Sequence, residues 1–300
     1  MNRKYGQLTG SAIGLILKEL VRRAIVVIRQ NRLSFNSTAK LGYDGISADV
    51  FTNADLAAQE VYIKMLREVF PKFGIVAEES NLVVPCTLKK NKVYFTIDPL
   101  DGTKAFTRGQ SHGIGTMISL VYDDEVIASA VGDVNTQEIF YYRPDSDKVH
   151  RLFTNPEMHE QLVIDGSKTL KDQRWLIRDP ACEYSSFVQS LFDPKGENQF
   201  KYSTSDGSIG IMMARLWKSE VGAVILKPGI QTPWDFQPIY GISKKLGFLC
   251  LEIEMINEKV VGNGGYIIDQ VLKQTHGEIF FIHHNCFSEF YNLIRSFNGR

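Results

Sequence analysis

Three hundred residues with 44% hydrophobic and 23% charged side chains describe an ordinary globular chain, long enough to bury its apolar surface without disulfide staples. The 34 Lys and Arg balance the 34 Asp and Glu, which excludes the broad basic footprint of a nucleic-acid binder but leaves room for a small anionic ligand in a local pocket. No apolar run approaches the roughly 20 residues that span a bilayer, and Cys86, Cys182, Cys250 and Cys286 form no CxxC, so reduced thiols and a cytoplasmic protein are expected.

Residues 8–31 read as one amphipathic helix, with Ile13, Leu17, Leu20, Ala24 and Ile28 at helical spacing. A core-facing helix is the commoner use of such a pattern than a membrane-surface one. Residues 32–51 are rich in Ser, Asn, Gly and Asp and read as a loop, with segment 40–49 mobile. Thr52 or Asn53 caps a second helix that runs to Phe70 and is stopped by Pro71. Phe73-Gly-Ile-Val-Ala77 is a short strand, and Glu78-Glu79-Ser80 follow it directly. Residues 81–91 are an excursion that returns to the same sheet edge.

Lys92-Val-Tyr-Phe-Thr96 is a buried strand, and it leads into Ile97-Asp98-Pro99-Leu100-Asp101-Gly102-Thr103. Pro99 lacks an N–H and ends ladder pairing. Gly102 permits a tight turn, and Asp101-Gly-Thr103 can open a helix with outward N–H groups. Two carboxylates three residues apart suit a hard divalent cation, and the N–H groups suit a phosphate. Together they suggest metal-assisted phosphate ester hydrolysis. A polar turn in which Asp101 merely caps a helix is the competing reading of the spacing.

From Gly113 to Leu152 the pattern is an antiparallel meander, with strands at 114–122, 125–134, 138–143 and 148–152. A polar stretch at 154–173 separates it from an alternating second half. There, strands at 175–178, 200–203, 221–226 and 248–254 interleave with helices at 184–192, 207–217 and 233–246. The chain therefore divides into an α+β half, 1–153, and an α/β half, 154–300, joined as one two-lobed unit. Pro233-Trp234-Asp235 opens the last of those helices. Asp235 is either a plain cap or a third carboxylate brought to a cleft between the halves.

Thr52-Asn-Ala-Asp55, Glu78-Glu79-Ser80, Asp98-Pro-Leu-Asp-Gly-Thr103 and Pro233-Trp-Asp235 stand in the order and spacing of the inositol monophosphatase superfamily, which the chain resembles over about residues 10–275. Residues 276–300 look like an added strand and helix. The resemblance implies an α/β (α+β) fold layered α/β/α/β/α, of the inositol monophosphatase and fructose bisphosphatase type. It also implies a Mg²⁺-dependent phosphomonoesterase with two or three ions per site. By that resemblance Glu78, Asp98, the Leu100 carbonyl and Thr103 surround one ion, and Asp98, Asp101 and Asp235 hold a second. Glu79 acts in an outer shell or at a weaker third position. Asp55 pairs with Thr103, and Glu78, Thr103 and Asp55 form the catalytic set. Asp101, Gly102, Thr103, Lys104, Gly207, Ser208 and Asp235 line the substrate.

Lys104-Ala-Phe106-Thr-Arg108-Gly109 after the Asp-Gly-Thr element resembles the bisphosphate nucleotidase branch. Typical inositol monophosphatases carry a glutamate before Trp-Asp that holds the inositol ring, and Lys227-Pro-Gly-Ile-Gln-Thr232 has no acid there. Lys104, Arg108 and Lys227 are the cations expected on the substrate wall, and a 3'(2'),5'-bisphosphate nucleotidase-like enzyme is the resulting expectation. Inositol monophosphatase and histidinol phosphatase are the alternatives, and a catalytically silent pseudophosphatase is the remote one. The expected partner is a small phosphorylated metabolite, with no nucleic-acid polymer or membrane, bound by a monomer or homodimer.

Overall fold

A computed structural model describes residues 8–42, 45, 48–196, 198–263 and 273–299. Helix α1 (Gly10–Asn31) begins where the Thr9 hydroxyl accepts the Ala12 N–H at 3.1 Å, and it buries Ile13, Leu17, Leu20, Ala24 and Ile28. Helix α2 (Asn53–Val69) starts with a full capping box between Thr52 and Asp55 and ends one residue short of Phe70. Both helices cover one face of an eight-stranded sheet.

That sheet runs, edge to edge, through Glu157–Gln161, His150–Thr154, Glu138–Tyr142, Glu125–Asp133, Gly115–Tyr122, Val93–Asp101, Gly74–Ala77 and Leu82–Val84. Val93–Asp101 lies parallel to Gly74–Ala77 and antiparallel to Gly115–Tyr122, and all nine of its residues are buried. Its ladder breaks between Asp98 and Asp101, where Pro99 has no N–H to give, and resumes at Asp101 opposite Gly115. The strand therefore runs past Asp98 to Asp101, and the bulge sets the two carboxylates at its carboxyl end.

After that strand come α3 (Thr103–Thr107), α4 (Ser186–Phe192), α5 (Ile209–Trp217), α6 (Pro233–Lys245) and α7 (Phe287–Asn298). Helices α5 and α6 pack between the first sheet and a second one, in the order Tyr202–Thr204, Trp175–Ile177, Ala223–Leu226, Glu278–His283, Phe248–Ile256, Lys259–Asn263. Helices α4 and α7 cover the far face, where Phe187, Leu191 and Phe290 meet Trp175 and Phe280. The layers are α/β/α/β/α, as the resemblance implied. No helix among the described residues is long and apolar enough to cross a membrane.

Three sequence readings change. Residues 32–51 are not all loop: Ser37–Leu41 and Ala48–Thr52 form an antiparallel ribbon. Four of the five residues in its first strand are exposed, so no polar–apolar alternation marked it. Of the segment expected to be mobile, Tyr43, Asp44, Ile46 and Ser47 lie outside the described residues. The polar stretch after 153 contributes Glu157–Gln161, a fully exposed edge strand that carries the first sheet past the expected boundary. Finally, Glu278–His283 is no appendage. It is buried throughout and sits between Ala223–Leu226 and Phe248–Ile256 in the middle of the second sheet.

The two sheets are tied together where three glycines meet. Gly102, Gly113 and Gly207 all have positive φ, and the Ser208 N–H donates to the Gly113 carbonyl at 2.8 Å. A methyl group on Gly207 would overlap that carbonyl oxygen and also strain its φ of +78°. Gly207→Ala is therefore expected to cost at least about 2 kcal/mol through strain and overlap. Gly229→Ala, with nothing near its added methyl, should stay within about 0.5 kcal/mol. Urea midpoints with unchanged m-values are the measurement, and equal midpoints for the two variants would refute the close approach.

Candidate active site

The bulge at the end of Val93–Asp101 places Asp98 and Asp101 beside Asp235 at the start of α6, and one carboxylate oxygen of each lies within 4.8 Å of the others. Asp235 is held by its own cap. Its carboxylate accepts from the Thr232 hydroxyl at 2.6 Å, and its N–H returns to that oxygen at 3.4 Å. Thr232 is the helix cap, so the plain-cap reading of Asp235 does not hold, and its carboxylate joins the cluster instead.

Asp101 is clasped by α5. Its carboxylate accepts the Ser208 hydroxyl, the Ile209 N–H at 3.1 Å and the Gly210 N–H at 2.8 Å. A carboxylate offers about four acceptor positions, so the clasp leaves room for one more contact. Asp98 accepts the Leu100 N–H at 3.0 Å. Glu78, directly after Gly74–Ala77, completes the acid wall of a cavity of about 350 Å³, with Asp49, Asp179 and Asp206 further out.

Burial dominates the electrostatics. It pushes the Glu78 carboxyl up to about 8, reinforced by Asp235 and Glu79 and opposed by Lys40. Burial, then the charges of Glu78, Asp101 and Asp235, hold Asp98 well above the usual carboxylate range. Burial and Asp235 raise Asp101 to about 6, against the Ser208 and Gly210 hydrogen bonds and the Arg178 charge. A dry cluster of oxygen donors that resists ionisation fits a hard divalent cation, whose charge reverses that cost.

The other expected residues are placed as follows. Asp55 accepts the Thr52 N–H at 2.7 Å and the Thr103 hydroxyl at 3.0 Å, and burial raises it to about 6. The Thr103 hydroxyl has one proton and two acceptors, since the Leu100 carbonyl is also 3.0 Å away. Gly102, at φ +87°, heads α3, and Lys104 lines the cavity with its ammonium 3.9 Å from Asp49. Glu79 is buried outside the cavity lining. Its N–H and carbonyl are both braced by the Gln59 amide, and its carboxylate sits 3.4 Å from Lys40. Gly207 lines the cavity; Ser208 is fully buried, and its hydroxyl donates to Asp101. Lys227, expected on the cationic wall, points away and pairs with Asp179 and Glu183.

Sequence reasoning missed three contributors. Lys40, on the polar ribbon, reaches Glu78 at 3.0 Å, and Asp49 comes from the ribbon's other strand. Arg178 lines the same cavity from the carboxyl end of Trp175–Ile177. Its place just after a strand in an alternating half is where α/β folds put ligands, and that could have marked it.

The raised carboxyls fix a pH dependence. The folded, metal-free protein keeps protons on Glu78 between its ordinary 4.5 and about 8, where the unfolded chain has released them. Stability from this source is complete below the ordinary value and is lost as pH rises through the folded one. The melting temperature in chelator should therefore fall from about pH 5 to about pH 8, and added Mg²⁺ should recover most at the upper end. A chelator profile that is flat or rises over that window would refute the assignment.

The inositol monophosphatase family model matches residues 13–202. Among curated proteins, a Nus factor SuhB from Vibrio cholerae is 32% identical over 94 residues, covering 31% of this chain and 34% of that protein. The human 3'(2'),5'-bisphosphate nucleotidase 1 is 27% identical over 126 residues, covering 34% and 40% respectively. The chain thus spans only about a third of the length of the curated relatives it matches. A solved IMPase/NADP phosphatase complexed with Mg²⁺ and phosphate superposes with a TM-score of 0.69 at 19% identity, over 95% of this chain and 96% of that one. That likeness shows the shared fold across nearly the whole chain, including the second half beyond residue 202. With the family match over more than half its length and the acid turn built as described, this chain belongs to the inositol monophosphatase family.

Proposed function

We propose that the protein is a Mg²⁺-dependent phosphomonoesterase acting on a small phosphorylated metabolite, with a 3'(2'),5'-bisphosphate nucleotidase-like preference. The observation that carries this reading is the convergence of Asp98, Asp101 and Asp235, with Glu78, at the head of α3. Glu78, Asp98, the Leu100 carbonyl and Thr103 would hold one ion; Asp98, Asp101 and Asp235 would hold a second. Glu79, turned toward Lys40, acts through an outer shell. Bound there, Mg²⁺ supplies Lewis-acid charge and lowers the pKa of a coordinated water.

The chain's own residues do the rest. The Gly102 and Thr103 N–H groups, which have no intrahelical partner, face the phosphate oxygens. Thr103 Oγ1 takes a proton from the attacking water as its own moves to Asp55 Oδ1. Burial of Asp55, with its carboxyl near 6, suits that carboxylate to accept one. Lys104 and Arg108 line the cavity, and no acid lies at 227–232 to hold a polyol ring. The name of the human relative, a bisphosphate nucleotidase, points the same way.

Asp98→Asn removes charge and almost no volume. It is expected to lower p-nitrophenyl phosphate turnover by far more than about tenfold, over 1.4 kcal/mol of barrier, while leaving the melting profile of a folded protein. A variant that keeps more than about a tenth of wild-type activity at saturating Mg²⁺ would overturn the metal assignment.

The substrate preference is separable. Each charge-assisted contact to a second phosphate contributes about 1.5–3 kcal/mol, or about 10- to 150-fold in kcat/KM. Adenosine 3',5'-bisphosphate should therefore exceed inositol 1-phosphate by about that factor. Equal or better turnover of inositol 1-phosphate would sink the nucleotidase preference and leave the phosphatase reading standing.

A further inference from the structure

Two cavities meet at Arg178. One is the acid cavity; the other, of about 390 Å³, is lined by Phe140, Ile211 and Met212, by the hydroxyls of Thr204 and Ser205, and by charged side chains, the carboxylates of Asp133 and Glu138 and the cations of Arg215 and Lys218. Arg178 and Asp206 line both. The Arg178 Nη2 donates to the Gly207 carbonyl at 2.8 Å, which fixes the guanidinium at the junction. A guanidinium has five N–H donors, so most of the fork is left for a ligand.

No acid forms an ion pair with it among the described residues, although its charge is felt at Asp101. Asp179 pairs with Lys227 at 3.3 Å, and Asp206 takes the Gln110 amide at 2.9 Å and His112 at 3.3 Å. Among the described residues no carboxylate lies within ion-pair distance of Arg178, although it is flanked by one in sequence and shares two cavities with another. Arg108, the other guanidinium at the acid cavity, stands on the first half of the chain. Arg178 stands on the second half, where the acid cavity opens into its neighbour. On the phosphomonoesterase reading, the phosphate to be cleaved would be served by cations held at Asp98, Asp101 and Asp235 and by the head of α3. A fork at the junction is placed for a different charge.

We propose that Arg178 binds a second anionic group, a phosphate carried on the leaving group, and that the leaving group runs from the acid cavity past Arg178 into the adjoining one. This rests on the phosphomonoesterase reading above. The ligand class is a phosphomonoester whose leaving group bears a further phosphate and an apolar or ring-shaped body. The fork matches phosphate in a bidentate manner that a lysine cannot reproduce. The walls of the second cavity supply apolar surface from Phe140, Ile211 and Met212, the hydroxyls of Thr204 and Ser205 and the cations of Arg215 and Lys218, while of its two carboxylates Glu138 is paired with Arg151.

The test compares matched pairs in the full-length protein with Mg²⁺: adenosine 3',5'-bisphosphate against adenosine 3'-phosphate, and fructose 1,6-bisphosphate against fructose 1-phosphate. In the wild type at least one pair should favour its bisphosphate by about tenfold or more in kcat/KM. Arg178→Ala should bring that ratio to within about threefold of unity, mostly through KM, and Arg178→Lys should restore only part of it. A ratio left intact in Arg178→Ala overturns the proposal. This includes equal losses on both members of a pair, which would put Arg178 on the cleaved phosphate or on the Gly207 loop alone. The absence of preference in every wild-type pair overturns it too. A preference in the sugar pair alone would remove the nucleotide preference and keep Arg178 as the anchor. Hydrolysis of p-nitrophenyl phosphate by the same preparation reports separately on the phosphatase reading.

Discussion

Asp101 accepts three hydrogen bonds from the first turn of α5, and that contact decides where the second half of the chain sits on the first. Hydrogen bonds to an ionised group contribute about 1.5–3 kcal/mol each, and a helix N-terminus adds its own preference for negative charge. The geometry is possible because Gly102, Gly113 and Gly207 let three backbones touch where any side chain would intrude. Everything at the mouth of the site follows from it. Ser208 is spent on Asp101, Gly207 is exposed to the cavity, and its carbonyl steadies Arg178.

The same carboxylate belongs to a cluster that is costly to keep charged. Four acids, Glu78, Asp98, Asp101 and Asp235, share one cavity. Two of them are almost fully buried, and Lys40 is the ammonium pressed against Glu78. Removing charges from water costs several kcal/mol per ion unless opposite charge is close. The polar ribbon at Ser37–Leu41 and Ala48–Thr52 meets part of that demand by bringing Lys40 to the acids. It packs little apolar surface, so its position depends on the charge it delivers. Folding of that ribbon and the charge state of the acids are thereby coupled.

Much of this was readable in the residues. The helices at 10–31, 53–69, 209–217 and 233–245 follow hydrophobic spacing and caps, which are local properties. The acid turn was legible because Pro99 and Gly102 are rare at the end of a buried strand, and their reasons for being there are backbone geometry. What was hidden depends on partners far along the chain. The ribbon has no apolar face to betray it. Glu278–His283 looked appended because its partners in the sheet are 25–35 and 53–59 residues earlier. Ser208 looked like a substrate contact because Gly-Ser sits at the right place, but its burial is set by how Gly113 and Gly207 meet.

The cationic wall shows why substrate choice is harder to read than chemistry. Two of the four clustered carboxylates, Asp98 and Asp101, come from one turn, so their grouping is fixed by the local backbone. Which cation faces the ligand is fixed by competition among side chains. Lys227 is within reach of both Asp179 and Glu183, on the far side of the strand that ends at Arg178. By taking Asp179, Lys227 leaves the site and also removes the acid that would otherwise neutralise Arg178. Asp206 is withdrawn in the same way by Gln110 and His112. A lysine that looked like a ligand contact thus pairs with the acid beside an arginine that did not. If Arg178 anchors the ligand as proposed, selectivity follows from the ion-pair network around 178–183 and 206, and a substitution there would alter it without touching the acid cluster.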